Sequence, residues 1–191
     1  MSTNRTLIYA GIGARATPAN MLTSMERIGE QLSKSWLLRS GYADGADQAF
    51  GRGAESGEGS FQLILPWEGF NNAPYNDDRF VVPDWTTPDL LDLAEKAYNS
   101  DPEVMAGRKR QWRVLNEAVR LLMTRNVCQV LGLDLQPKNH AQMVICWTPN
   151  AASGGGTGQA IRIANMFKIP VFDLASEYDQ RALCEFTQGL V

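Results

Sequence analysis

The run Ser153-Gly154-Gly155-Gly156-Thr157-Gly158 follows an apolar stretch over residues 142–147 and opens a helical pattern. Glycines at a strand-to-helix turn let a phosphate approach the backbone, where free N–H groups and the positive end of the helix dipole meet its charge. Gly11-Ile12-Gly13-Ala14-Arg15-Ala16-Thr17 repeats that logic after the apolar residues 7–10. Arg15 adds a guanidinium suited to bidentate phosphate binding, and Thr17 either caps the next helix or donates to a ligand. In Ser40-Gly41-Tyr42-Ala43-Asp44-Gly45-Ala46-Asp47 two carboxylates stand three residues apart at a helix start. Asp44 suits an N-cap and Asp47 a ribose hydroxyl or an attacking water; capping and dipole compensation explain both as well. Pro66-Trp67-Glu68-Gly69-Phe70-Asn71 offers Trp67 for stacking a base and Glu68 for general-base chemistry. Aromatics packing that loop onto the domain are the equal alternative.

Arg125-Asn126 falls inside a helical, apolar pattern, where a buried arginine needs a partner, either a ligand phosphate or a carboxylate. Arg108, Lys109, Arg110 and Arg113, with Trp112 among them, suit either a nucleic-acid contact or a solvated helix face, and the solvated face is the commoner case. The glycine runs do not form a Walker A loop, because no Gly-Lys-Ser/Thr follows, and they lack the full GxGxxG dinucleotide spacing. His140 is the single histidine and precedes a strand, so neither a Ser-His-Asp triad nor a histidine-based metal site has support. The residues call for no metal and no cofactor.

These turns need strands and helices to hold them. Apolar runs at 7–10, 36–39, 61–65, 141–147 and 169–172 read as short buried strands. Helical patterns lie between them. Thr17-Pro18 offers a start for a helix over 18–33, where Met21, Met25, Ile28 and Leu32 share one face. A second helix begins near Ala46 and is expected to be short, because 51–59 is glycine-rich. Residues 66–88 show no sustained period and read as a functional or lid-like loop. Helical pattern returns over 88–98 and, as the longest element, over 104–130, ended by Gly132. Further helices are expected over 157–167 and 178–187.

Strands alternating with helices imply right-handed crossovers, hence an α/β, Rossmann-like, doubly wound parallel sheet of about five strands with helices on both faces. The expected order is 3-2-1-4-5, with 2-1-3-4-5 as the alternative. In the first, the Gly11 and Gly154 turns flank the point where the chain reverses, which is where such sheets bind ligands. The 191 residues are expected to form one domain, with a loop and helical insertion at about 66–132. A net charge of −3 disfavours a nucleic-acid-wrapping surface. Cys128, Cys146 and Cys184 are odd in number and unpaired by spacing, which points to a reducing cytoplasm. No apolar window approaches the roughly 18 residues of a membrane span, so no membrane partner is expected.

These motifs resemble the SLOG superfamily, which groups the DNA-processing protein A (DprA/Smf) family with the LOG, or lysine-decarboxylase-like, nucleotide enzymes. Gly11-Ile12-Gly13-Ala14-Arg15 resembles the family's first glycine loop, the 40–47 segment its Ser-Gly-Gly-Ala-x-Gly-x-Asp loop, and residues 154–160 its second phosphate turn. Leu65-Pro66-Trp67-Glu68-Gly69-Phe70-Asn71 and Arg125-Asn126-Val127-Cys128-Gln129-Val130-Leu131-Gly132 are similar to segments of stand-alone, phage-type DprA-like proteins. The likeness spans nearly the whole chain. It implies a crevice for a nucleotide or nucleotide-derived ligand, bound by Gly11, Gly13, Arg15, Thr17, Ser40, Gly41, Asp44, Gly45, Asp47 and Trp67 together with Gly154, Gly155, Gly156, Thr157 and Gly158. Arg125 and Asn126 join them as further candidates. It also implies either cleavage or transfer at an N-glycosidic bond or, alternatively, binding of single-stranded DNA in recombination, and a homodimer.

Two residues depart from the family pattern. Tyr42 stands where the DprA loop has a second glycine. LOG phosphoribohydrolases carry Pro-Gly-Gly-x-Gly-Thr-x-x-Glu, and Ala160 occupies the glutamate's place here. Hydrolysis by the LOG mechanism is therefore not implied; a different carboxylate, Glu68 or Asp47, would have to serve.

Overall fold

The computed structural model describes residues 6–149 and 154–191. Ser153, which opens the second glycine run, lies outside them. Strands β1 (Leu7–Gly11), β2 (Trp36–Ser40), β3 (Phe61–Ile64), β4 (Phe80–Val81), β5 (Met143–Cys146) and β6 (Val171–Asp173) form one sheet. All pairs are parallel and the order is β4-β3-β2-β1-β5-β6. The α/β, Rossmann-like architecture is as expected, and the five expected strands keep their order. The sheet has six strands rather than five because β4, within the segment expected to be a loop, pairs with the outer edge of β3.

The helices are α1 (Ala19–Leu32), α2 (Ala46–Ser56), α3 (Pro88–Asn99), α4 (Pro102–Met105), α5 (Glu117–Leu131), α6 (Gly155–Met166) and α7 (Glu177–Phe186). Alternation along the strands sends side chains to two cores. Ile8, Ala10, Ile64 and Val144 meet Leu90 of α3, Val127 and Leu131 of α5 and Ile163 of α6. Tyr9, Leu38, Met143 and Ile145 meet Met25 of α1, Phe50 of α2 and Leu183 of α7. A sheet covered on both faces suits strands that read as unbroken apolar runs, and β5 is buried at every position. No helix among the described residues is long and apolar enough to cross a membrane.

Three local expectations need correction. Helix α2 runs through its glycines to Ser56, because Gly53 is where α1 comes closest: a side-chain carbon on Gly53 would stand 2.0 Å from the Glu26 carbonyl. The helix expected over 104–130 is divided. Gly107 turns at φ 71° after α4, Trp112–Val114 forms a 3₁₀ turn, and Asn116 starts α5 afresh by accepting from the Val119 amide. Finally, residues 66–88 are packed rather than lid-like. Leu65, Phe70 and Ala73 build a third small core, and the Trp85 indole donates to the Pro66 carbonyl at 3.0 Å.

The whole stretch from β3 to β5 is one crossover that carries the chain from the sheet's edge back to its centre. Asp101 ties it down. Its carboxylate accepts from the Glu103 amide at 2.9 Å, capping α4, and pairs with Lys109 at 3.0 Å and with Arg162 of α6 at 3.3 Å. Arg162 also donates to the Ala97 carbonyl, and Gln159 to that of Ala94, so α6 is fastened to the end of α3.

Burial acts against the Asp101 carboxylate, but the Glu103 amide and the Lys109 and Arg162 charges outweigh it and hold its pKa below the usual value. A depressed carboxylate contributes stability above its unfolded pKa of about 3.9 and loses it as pH falls through the folded value. Asp101→Asn is therefore expected to lower unfolding free energy by about 2 kcal/mol at pH 7. In denaturant melts the gap from the unsubstituted protein should close as pH drops below about 4; a gap independent of pH would contradict the assignment.

Candidate functional site

A cavity of about 260 Å³ opens at the carboxyl ends of β1 and β5, where the sheet order reverses. This is the switch-point crevice of an open α/β sheet. Four chain segments line it. Ile12, Gly13, Ala14 and Arg15 come from the turn after β1, and Ala43 and Asp47 from the turn after β2. Gly154, Gly155, Gly156 and Thr157 come from the start of α6, and Leu122, Met123, Arg125 and Asn126 from α5. The two glycine turns thus share one cavity.

The floor is a buried ion pair. Asp47 is 2% exposed and Arg125 7%, with Arg125 Nη2 at 3.6 Å from Asp47 Oδ2. Arg125 Nη1 donates to the Gly41 carbonyl, and the Ala43 amide donates to Asp47 Oδ2 at 3.2 Å. Gly41 makes room for this pair. A side-chain carbon there would lie 2.2 Å from Gln129 Nε2 and 2.7 Å from both the Arg125 guanidinium carbon and Asp47 Oδ2. The Arg125 guanidinium also sits 5.1 Å over the Phe70 ring, and Trp67 packs edge-on against Phe70 at 5.4 Å. Trp67 therefore supports the arginine through Phe70 and does not line the cavity.

The pair is incompletely satisfied. Asp47 Oδ1, Arg125 Nε and both polar atoms of Gln129 are buried without a hydrogen-bond partner. Burial raises the Asp47 pKa against the pull of Arg125 and the Ala43, Gly13 and Gly41 amides. Burial lowers that of Arg125; Asp47 opposes this, while the nearby Arg15 charge adds to it. Two guanidinium groups that repel each other across a crevice are offset by an anion placed between them.

Other expected residues have structural work. Ser40 Oγ donates to the Gly11 carbonyl at 2.6 Å and Thr17 Oγ1 to that of Ala14 at 2.6 Å, so both brace the turns. Pro18, not Thr17, occupies the N-cap of α1. Gly45, at φ 88°, takes the N-cap of α2, while Asp44 accepts from Gln48 at 3.2 Å. Gly158 is buried within α6. Glu68 is exposed and is not part of the cavity wall. Tyr42 adopts φ 57°, the left-handed backbone that favours the glycine found there in the DprA pattern. Its ring is held edge-on against Phe80 at 5.0 Å, and Asn71 donates to its carbonyl at 3.1 Å.

Sequence reasoning missed the apolar wall of Leu122 and Met123. Their spacing of three from Arg125 and Asn126 puts them on the same helix face, which was the signal to use.

No protein-family model matches this chain, and no curated protein matches it in sequence. Among solved structures it is similar to the molybdenum cofactor carrier protein of Chlamydomonas reinhardtii, with TM-score 0.49 and 18% identity over 98% of this chain and 88% of that one. It is also similar to DNA processing protein A (DprA) from Streptococcus pneumoniae, with TM-score 0.50 and 16% identity over 89% of this chain. It spans 50% of that protein's length. The likeness to DprA shows a shared fold.

Removing one member of a buried pair strands the other's charge, whereas removing both does not. Asp47→Asn and Arg125→Met are each expected to cost about 3 kcal/mol of stability, and the double variant less than the sum of the two. Additive losses in a double-mutant cycle would show that the two side chains do not act as a pair.

Proposed function

We propose that this chain binds a phosphorylated small molecule of the nucleotide class, its phosphate held where the Gly13–Arg15 and Gly154–Gly156 turns face each other. One observation carries the reading: two glycine turns, the exposed Arg15 and the buried, incompletely partnered Arg125 border a single cavity at the switch point. The N–H groups at the start of α6 supply the dipole's positive end, and Arg125 adds charge from below. Leu122, Met123 and Ile12 give the nucleoside an apolar wall. A cavity of about 260 Å³ is a little smaller than the roughly 300–1,000 Å³ of most ligand sites, which suits a phosphate and sugar inside with the base extending outward.

Where turnover occurs, the reaction that fits is cleavage or transfer at an N-glycosidic bond. Of the two carboxylates considered for it, Asp47 lines the cavity and Glu68 does not. Burial raises the Asp47 pKa above the usual carboxylate value, the direction that general acid–base work at neutral pH calls for. Binding of single-stranded DNA has less support, because Arg108 and Lys109 face Glu103 and Asp101 at 2.6 and 3.0 Å.

A screen of nucleotides by thermal unfolding tests the proposal. A ligand at about a hundred times its Kd is expected to raise Tm by roughly 5 °C, and Arg15→Ala to abolish the rise. A flat response to every phosphorylated compound would refute it, and oligonucleotide binding that weakens steeply with salt would favour the DNA reading instead.

A further inference from the structure

The α5 wall of the cavity carries an amide whose two ends have separate duties. Asn126 is 2% exposed and lines the cavity beside Arg125. Its Nδ2 donates to the Leu122 carbonyl at 2.9 Å and to the Met123 carbonyl at 3.3 Å, one turn back on the same helix. Those two oxygens decide which end of the amide faces them, because a flipped side chain would set Oδ1 against both and lose both bonds. The nitrogen is thus committed to the helix. Oδ1 has no hydrogen-bond partner among the described residues and is the atom left to meet a ligand.

The place of this acceptor relative to the anion is set as well. A side-chain carbon placed on Gly156 would stand 3.9 Å from Asn126 Nδ2, so the amide borders the first turn of α6. The groups that suit a phosphate there are donors: the turn N–H groups and the guanidinium groups of Arg15 and Arg125. Thr157 lines the same cavity with a hydroxyl that donates and accepts alike. Asp47 already accepts from the Ala43 amide and pairs with Arg125. Asn126 Oδ1 differs from all of these as a neutral acceptor with nothing to donate. A phosphate oxygen gains nothing from it, whereas a hydroxyl beside the phosphate does, and covering the oxygen with a group that cannot donate is unfavourable.

We propose that Asn126 reads a sugar hydroxyl: the ligand is a sugar phosphate ester whose hydroxyl donates to Oδ1 while its phosphate rests on the glycine turns. The Leu122 and Met123 carbonyls hold the amide in that orientation. This rests on the phosphate reading of the crevice and deepens it, naming the residue that separates a hydroxyl-bearing sugar phosphate from any other phosphate monoester.

Titration calorimetry on the full chain with inorganic phosphate, ribose 5-phosphate and cyclopentylmethyl phosphate tests it. The two esters share a ring size and a charge, and the second has no hydroxyl. The unsubstituted protein is expected to bind ribose 5-phosphate about tenfold more tightly than the cyclopentyl ester, the worth of one buried hydrogen bond. In Asn126→Leu that ratio should fall to about one. An asparagine that only braces α5 would lower Tm and weaken both esters together, so an unchanged ratio in the variant overturns the assignment. Equal affinity of the unsubstituted protein for the two esters overturns it too, while the phosphate reading stands. Failure to bind inorganic phosphate and both esters overturns both.

Discussion

The contact between Arg125 and Asp47 forms the floor of the crevice at this sheet edge. Asp47 belongs to the first turn of α2, after β2, and Arg125 to the middle of α5, at the far end of the crossover. Joining them closes the crevice from below and fixes the height of α5 against the turn that carries Gly41. Burying two charges is unfavourable unless each is compensated. Here compensation is partial: the Gly41 carbonyl and the Phe70 ring serve Arg125, the Ala43, Gly13 and Gly41 amides serve Asp47, and Arg125 Nε remains without a partner. This open position at the floor of the cavity is part of what the proposed binding of an anion rests on.

A second network does the same for the opposite wall. Asp101, Arg162 and Gln159 bind α6 to the end of α3, which sets where the first amides of α6 point. The crossover thus has two anchor points, one at the turn after β2 and one on α6. Its length follows from topology, since the chain must travel from the outer strands back to the strand beside β1. The aromatic group of Trp67, Phe70, Tyr42 and Phe80 fills the space beneath it and keeps Arg125 and the left-handed Tyr42 in place.

Much of this was legible in the residues. Short apolar runs located five strands and their order, because a parallel sheet buried on both faces leaves a plain signature. That the two glycine turns, after β1 and at the start of α6, border one cavity was legible too, because the expected strand order puts both at the point where the sheet reverses. Strand β4 was not, because two residues on an edge have no period to read. The break in the helix expected over 104–130 was not legible either, because it depends on Trp112 packing against Tyr98 from a separate 3₁₀ turn. Roles for Ser40, Thr17 and Trp67 depend on which carbonyl or ring each meets, and such contacts across the fold leave no local mark.

The proposed site requires both glycine turns to meet one anion. Titration of the isotope-labelled chain with inorganic phosphate, followed by amide and arginine side-chain NMR, measures this most directly. The amides of Gly13, Arg15, Gly155 and Gly156 and the Arg125 Nε–H should shift together along a single saturating curve. Separate curves for the two turns, or shifts confined to exposed lysines and arginines elsewhere, would contradict it.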